Sequence, residues 1–156
     1  LSLTTLFRSG KINLGSVKMR KILVIFMLFA GINLMAGEKI RNLKIVLKSS
    51  SGEATAILDD TAAARSFAAQ LPLTLNLNDY GGHEKVAKLP KPLDVSGEPR
   101  GCDGKKGEIS YFAPWNNFVI YYGYQPYYDG IVRLGVIDGD VDLVAKDGDI
   151  RIELAK

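Results

Sequence analysis

Apolar and polar residues alternate along several stretches of the chain, beginning at residues 43–47, where every second residue is apolar. This alternation is typical of a strand with one buried face. It predicts a strand at residues 40–48 and a return strand at 54–59, joined across the polar loop 49–53 in a hairpin. The same pattern predicts further strands at residues 73–78, 108–112, 118–124, 130–137 and 149–154.

One segment follows the period of a helix instead. An apolar stripe at positions i, i+3, i+4 and i+7 begins at Ala64, in a segment rich in alanine. Asp60 or Thr61 can cap the first turn. Pro72 ends the helix, because the residue before a proline is pushed out of the helical region. We predict a helix over about residues 60–71 that covers the open end of a sheet or barrel.

Three segments do not follow either period. The two prolines of "KVAKLPKPLD" indicate an edge strand or an extended crossing segment. Residues 94–107 are polar and rich in glycine, which indicates a loop, and residues 141–145 indicate a short turn or helical piece. Gly135 predicts a kink in its strand. Seven or eight short strands and one helix in about 120 residues are typical of a small closed barrel or a sandwich.

The segment from Met19 reads "MRKILVIFMLFAGINLMAGEK", in which basic residues precede an apolar run and small residues precede Glu38. This order is that of a secretory signal peptide, and the run is shorter than the ~20 residues that a membrane-spanning helix needs. We expect residues 19–37 to be a cleaved signal peptide, with a retained anchor as the alternative. Residues 38–156 are then an exported domain, periplasmic or secreted, and only the signal segment meets the membrane. Residues 1–18 are interpreted as an upstream segment from a start site assigned too early.

The signal segment changes the charge of the predicted domain. Five of the 20 Lys and Arg residues and none of the 17 Asp and Glu residues precede Glu38, which leaves 15 basic against 17 acidic residues, a net charge of −2. This balance removes the general argument for a nucleic-acid partner. The single cysteine, Cys102, allows no internal disulfide and is interpreted as structural, since nothing near it in sequence would activate a thiol.

Two long motifs follow the predicted helix. They read "QLPLTLNLNDYGGHEK" and "GEISYFAPWNNFVIYYG", and "IVRLGVI" comes after them. In this order they resemble the bacterial cyclophilin-like domain family, over nearly all of residues 40–154. The resemblance implies a mainly β fold, a small closed cyclophilin-like β-barrel with the helix capping an open end.

Cyclophilins of the isomerase type act on X-Pro bonds, so the resemblance implies this activity as an alternative. Their site uses an arginine after a Phe and His, a Gln-Gly-Gly-Asp-Phe run, and a later Trp and His, and none of these runs is present. Arg133 is the best-placed arginine to weaken the amide resonance of an X-Pro bond, whose rotation barrier is about 18–20 kcal/mol. The alternative role of Arg133 is an ion pair or a cation–π contact with a tyrosine.

His83, the only histidine, follows two glycines and is the second catalytic candidate. With Asp79 and Glu84 it could lie at a pocket mouth, where these residues would act as acid–base groups or metal ligands. The alternative is a structural turn in which Asp79 accepts hydrogen bonds from backbone amides. One histidine and one distant cysteine are too few for a zinc site, and no phosphate or dinucleotide motif is present. We therefore predict no metal and no cofactor.

Aromatic residues concentrate in one region, since six of the seven tyrosines lie between residues 107 and 130. Tyrosine combines a large apolar face with a polar tip, which suits ligand binding. Residues 124–128 are predicted as an exposed loop that forms a binding edge, and one face of strand 118–124 as core. The predicted binding residues are Asp79, Tyr80, His83, Glu84, Trp115, Tyr124, Tyr127 and Tyr128.

These observations favour an exported module that binds a peptide or small molecule at the mouth of the barrel. The alternative is a divergent peptidyl-prolyl cis-trans isomerase that uses the same mouth. A third hypothesis is an assembly module whose tyrosines contact another protein. The sequence defines no oligomeric state.

Overall fold

Ten antiparallel strands build a closed barrel and a small sheet beside it. The computed structural model describes residues 43–156, so the predicted signal peptide and the segment 1–18 lie outside the described residues. The strands are β1 (Lys44–Ser49), β2 (Gly52–Leu58), β3 (Leu73–Tyr80), β4 (Glu84–Lys88), β5 (Gly101–Gly104), β6 (Glu108–Phe112), β7 (Asn117–Tyr121), β8 (Gln125–Asp129), β9 (Ile131–Asp138) and β10 (Gly148–Leu154).

Eight of these strands close the barrel in the order β1-β10-β3-β4-β7-β6-β9-β2, and β5 pairs with β8 alone. The predicted opening hairpin is confirmed, with Lys44 opposite Ile57 and Ser49 opposite Gly52. The closed, mainly β architecture with one helix is the one that the resemblance implies. Within residues 43–156, no helix is both long and apolar enough to cross a bilayer.

The helix α1 (Ala62–Ala68) caps one end of the barrel, within the predicted segment. Thr61 is its N-cap, and the Thr61 side chain accepts a hydrogen bond from the Ala64 amide at 3.2 Å. The apolar stripe faces inward, and Phe67 stacks on Phe118 of β7 with 5.2 Å between ring centroids. The helix ends three residues earlier than predicted, in a tight turn before Pro72.

The interior of the barrel is filled by side chains. Inward and outward residues alternate along the barrel strands except at a bulge in β9, and the strand residues of this core include Ile45, Leu47, Ala56, Leu75, Leu77, Ile109, Tyr111, Phe118, Ile120, Leu134, Ile150 and Ile152. An eight-stranded barrel is just wide enough for side chains of this size. The helix closes one end over this core.

Three predictions about individual segments are corrected. β4 is not an edge strand, because it pairs with β3 on one side and β7 on the other, and both prolines follow its last residue. Residues 94–107 are not all loop, since they contain β5. Residues 125–129 are strand β8 rather than loop, and they pair with β5.

One face of β7 is core, as predicted, but its other face is buried as well. Phe118, Val119, Ile120 and Tyr121 are all at most 1% exposed, so both faces are buried. Phe118 and Ile120 belong to the barrel core, whereas Val119 and Tyr121 point outward and lie beneath other residues.

The predicted kink at Gly135 is a β-bulge. Ile109 pairs with Gly135 and Ser110 with Arg133, which leaves Leu134 as the extra residue on β9. A Cβ at Gly135 would lie 2.2 Å from the Ile57 carbonyl oxygen of β2, so only glycine allows β2 and β9 to pair here.

Gly135→Ala is expected to destabilise the protein by about 1–3 kcal/mol, because the new methyl group forces β2 away from β9. Chemical denaturation followed by circular dichroism would measure the change in the free energy of unfolding. Asp138→Ala, at an exposed position of the same strand, is the control and should have a small effect. Equal stability of Gly135→Ala and the wild type would contradict this account of the bulge.

Candidate functional site on the outer wall of the barrel

A cavity of about 200 Å³ lies on the outer wall of the barrel, not at its mouth. Strands β4 and β7 form its floor, and strand β8 covers it from one side. Eight of its lining residues are aromatic or aliphatic and three are polar: Tyr80, Glu84, Val86, Phe112, Trp115, Asn117, Val119, Tyr121, Gln125, Tyr128 and Ile131.

The floor consists of outward-facing residues on two neighbouring strands. Glu84 of β4 is paired with Tyr121 of β7, and Val86 is paired with Val119. Side chains alternate between the two faces of a strand, so these four stand on the same face. The floor is therefore polar at the Glu84 end and apolar in the middle. Asn117 supplies a second polar group at the far end of β7.

The flap, which we define as strands β5 and β8, completes the concave shape. Gly104 of β5 lies directly on the ring of Tyr121, because a Cβ there would lie 2.3 Å from that ring. Arg100 and Asp129 form an ion pair of 2.7 Å at the other end of the flap. Tyr121 is thereby covered by backbone, which explains why the outer face of β7 is buried.

Four aromatic side chains form a continuous arc along one side of the cavity. Trp115 contacts Tyr80 and Phe112 with centroid distances of 5.6 and 5.1 Å, at interplanar angles of 82° and 86°. Phe112 contacts Tyr128 at 5.9 Å and 62°. Adjacent rings are therefore steeply inclined, like neighbouring walls of a box, instead of stacked face to face. We call Tyr80, Trp115, Phe112 and Tyr128 the aromatic arc.

Asn116 fixes the turn that presents Trp115. The turn is a single 3-10 turn, Ala113–Trp115, and it ends at Asn116 in the left-handed conformation with φ of 57°. The Asn116 side chain accepts a hydrogen bond from the Tyr111 hydroxyl at 3.0 Å and donates one to the Leu89 carbonyl at 2.9 Å. These bonds connect the exposed tryptophan to the core and to the end of β4.

Glu84 is the only charged residue among those that line the cavity. Burial raises the pKa of its carboxyl, while the nearby His83 and the Tyr121 phenol oppose this shift. Burial also raises the pKa of Tyr121, and the negative charge of Glu84 adds to that effect. Within residues 43–156, no lysine, arginine or histidine lies within ion-pairing distance of the Glu84 carboxylate.

His83 connects the β3–β4 turn to the flap. Its Nδ1 lies 3.0 Å from the Gly81 carbonyl oxygen, and its Nε2 lies 2.7 Å from the Oε1 atom of Gln125. The Gln125 amide group donates to the Pro126 carbonyl at 2.8 Å, which fixes Oε1 toward the histidine. Both ring nitrogens therefore face acceptors, and only the protonated imidazolium can donate to both.

The pKa of His83 reflects this arrangement. Burial favours the neutral ring, but the acceptors on Gly81 and Gln125 and the negative charges of Glu84 and Asp79 outweigh burial and raise the pKa. A Cβ at Gly81 would lie 2.5 Å from the His83 ring, so a glycine is required there for a second reason besides its φ of 65°.

Asp79 belongs to a separate cluster. It accepts hydrogen bonds from the Gly82 amide at 3.2 Å, from the Tyr122 hydroxyl and from Lys85 Nζ at 3.0 Å. The Tyr122 hydroxyl and Lys85 lower the pKa of Asp79, in this order of effect. Lys85 also pairs with Asp147 at 2.8 Å and lies 5.3 Å from the Tyr122 ring centroid. This is the turn-stabilising role that was considered as the alternative for Asp79.

The structure thus separates the residues predicted for one site. Tyr80, Glu84, Trp115 and Tyr128 line the cavity, and His83 reaches it through Gln125. Tyr124 and Tyr127 are exposed and do not line it, although Tyr127 donates a hydrogen bond to Asp129 at 3.0 Å.

Arg133 is also outside the cavity. It pairs with Asp59 at 3.3 Å and with Glu108 at 3.6 Å, which is the ion-pair role considered as its alternative. Cys102 of β5 donates from its thiol to the Ile131 carbonyl at 3.5 Å, and burial raises the pKa of this thiol. A raised pKa disfavours the reactive thiolate, in agreement with a structural role.

Sequence reasoning missed several cavity residues, namely Val86, Phe112, Asn117, Val119, Tyr121 and Ile131, whereas Gln125 lies within the predicted binding segment 124–128. Val86, Val119 and Tyr121 could have been recognised, since both faces of β4 and β7 carry apolar residues. No local signal marks Gly104, whose contact with Tyr121 depends on the pairing of β5 with β8.

A second depression, of about 510 Å³, lies near Pro72 and β10. Its charged residues include Lys48 and Glu153, which already form an ion pair with each other. Within residues 43–156, no group of three or more His, Cys, Asp or Glu residues is arranged to hold a metal ion. The wall cavity is therefore the better candidate for a binding site.

Comparison with known proteins agrees with this architecture. The model described as "Cyclophilin-like family" matches residues 47–155, which is more than half of the chain. The chain belongs to the cyclophilin-like family. Among solved structures, this cyclophilin-like domain is similar to the solution structure of the hypothetical protein AF2241 from Archaeoglobus fulgidus, with 18% sequence identity and a TM-score of 0.57. The match covers 76% of this chain and 99% of the other, and it concerns the fold. No curated protein matches the sequence.

Gln125→Ala is expected to lower the pKa of His83 in this cyclophilin-like domain, because it removes one of the two acceptors that favour the imidazolium. Since the folded pKa is raised, His83 contributes stability that is fully present below its ordinary value of 6.5 and is lost as the pH rises through the folded value. NMR titration of the imidazole resonances would measure the pKa of His83, and denaturation at several pH values would measure its contribution to stability. Tyr127→Phe, two residues along the same strand, is the control. An unchanged titration in Gln125→Ala would show that the His83–Gln125 contact does not form.

Gly104→Ala is expected to loosen the flap and expose Tyr121, because the added methyl group cannot fit above the ring. Amide hydrogen exchange at β5 and β8 should become faster while exchange in the barrel strands changes little. Lys105→Ala, at the next and exposed position, serves as the control. If the flap amides keep their wild-type protection, Gly104 is not needed for the packing of the flap.

Proposed function

We propose that this cyclophilin-like domain is a binding module that holds one side chain of a peptide, or a small molecule of similar size, in the wall cavity. The observation that supports this is the composition of the cavity, in which eight apolar residues surround a space with polar groups at its edges. Pockets of this kind, mainly apolar with a few placed polar groups, are typical of ligand sites. We also propose that the domain acts after export, on the basis of the signal-peptide pattern in residues 19–37.

The size of the cavity limits what it can hold. Its volume of about 200 Å³ is below the roughly 300–1,000 Å³ of sites for drug-sized ligands. One buried side chain of the size of Val, Leu or Phe contributes roughly 1.5–3 kcal/mol. A dissociation constant of 1 mM corresponds to roughly 4 kcal/mol, so a ligand that uses this cavity alone should bind with a dissociation constant well above about 1 mM. Tighter binding would require contacts outside the cavity.

The cavity favours binding over X-Pro isomerisation. No arginine is among its lining residues, and the Arg133 guanidinium is engaged by Asp59 and Glu108. The amide of Gln125 donates to the Pro126 carbonyl, so Asn117 is the lining side chain that remains as an amide donor. An isomerase mechanism would therefore need a donor other than the arginine suggested by sequence.

Two neighbouring tyrosines provide a matched test of the binding site. Tyr127 and Tyr128 are each 58% exposed, but only Tyr128 lines the cavity. The probes are blocked tripeptides Ala-X-Ala in which X is Pro, Leu, Phe or Lys, titrated into isotope-labelled protein and followed by NMR. We expect at least one probe to shift the amide resonances of Val86, Val119 and Tyr121. Tyr128→Ala should weaken that binding severalfold, and Tyr127→Ala should leave it unchanged.

Two results would count against the proposal: no shift with any peptide, or equal loss of binding in both tyrosine variants. Exchange spectra of the proline peptide give an independent measure of isomerisation. Faster cis–trans exchange, lost in Tyr128→Ala, would make the domain an isomerase at this cavity.

A further inference from the structure

We propose that the wall cavity selects an alkylammonium group, a protonated or methylated amine, over a neutral group of the same shape. This inference rests on the proposed function, because it names the chemical class of ligand for the same cavity. The two structural features behind it are the carboxylate of Glu84 and the aromatic arc.

The first feature is a carboxylate without a cationic partner within 4 Å. Asp79, only five residues earlier, pairs with Lys85, and Glu153 pairs with Lys48. Glu84 has no such pair within the described residues, although it is half-buried beside apolar side chains. Even partial removal of a carboxylate from water raises its free energy when no cation lies nearby. A ligand cation in the cavity would reduce that free-energy cost. The absence of basic lining residues makes anions unfavourable in the same place.

The second feature is the set of aromatic rings around the same space. Aromatic faces attract cations within about 6 Å of the ring centroid, and quaternary ammonium groups are bound by boxes of several rings. In the aromatic arc, Trp115 stands nearly perpendicular to both Tyr80 and Phe112, which is the arrangement of a box. The protein makes the same type of contact elsewhere, between Lys85 and the Tyr122 ring.

One charge opposes a bound cation. His83 on the β3–β4 turn lies near Glu84 and is positively charged when protonated, and both of its ring nitrogens face other acceptors. Tyr121 on β7 and Asp79 on β3 are the other titratable groups that act on Glu84. As the pH rises, Glu84 ionises and His83 loses its charge, and both changes strengthen the binding of a cation. Affinity for an alkylammonium ligand should therefore increase with pH.

A matched pair of small molecules tests the inference. Choline and 3,3-dimethyl-1-butanol have the same shape, but a positively charged nitrogen in choline replaces a neutral carbon. We expect choline to bind about tenfold more tightly at neutral pH, as measured by NMR titration of the Val86, Val119 and Tyr121 amides. In Glu84→Gln this preference should fall severalfold while the part that comes from the aromatic arc remains, whereas the exposed control Glu53→Gln changes the net charge equally and should retain the full preference.

A third probe, a blocked Ala-X-Ala peptide in which X is trimethyllysine, distinguishes a peptide side chain from a free amine as the source of the ammonium group. Tighter binding of this peptide than of choline supports a peptide side chain as the ligand, and the reverse supports a free amine. Equal affinity for choline and its neutral analogue would overturn the charge selection and leave the proposed binding function intact. If the Pro, Leu or Phe peptide binds at the cavity while choline and the trimethyllysine peptide do not, selection of an ammonium group is wrong. If none of the probes binds, both proposals fail.

Discussion

Side chains fill the interior of this eight-stranded barrel, and this constraint favours a binding site on its outer surface. Phe67 from the helix and the inward residues of all eight strands form this packing. The candidate site accordingly lies on the outer wall, which is a convex surface. Concavity comes from elements added to the barrel, namely the flap on one side and the Trp115 turn on the other.

β7 contributes side chains both to the barrel core and to the cavity floor. Its inward residues pack in the barrel core and its outward residues form the cavity floor, so a run of four consecutive buried residues is required. Such a run differs from the alternation of apolar and polar residues in a strand that has one solvent-exposed face. The position of β7 in the middle of the cavity wall, between β4 and β6, accounts for the difference.

The barrel strands other than β4, and the helix, could be predicted from sequence because their signals are local. The alternation in β1 and the Thr61 cap each involve residues within a few positions of one another. The flap could not, because β5 is a short polar segment, "GCDG", whose partner begins more than twenty residues later. Tyr80, Glu84, Trp115 and Tyr128 were found as candidates from their chemistry, whereas Gly104 and Val119 acquire their roles only through tertiary contacts.

The separate pairing of the flap has a consequence for motion. Every barrel strand is hydrogen-bonded to two neighbours in a closed ring, so none can leave without breaking two ladders. β5 and β8 share a single ladder that is not part of this ring. The flap can thus undergo local unfolding at a lower free energy than the barrel, and such an opening would uncover Tyr121 and Glu84 to water. The two parts of the protein should form distinct cooperative units, with the cavity at the boundary between them.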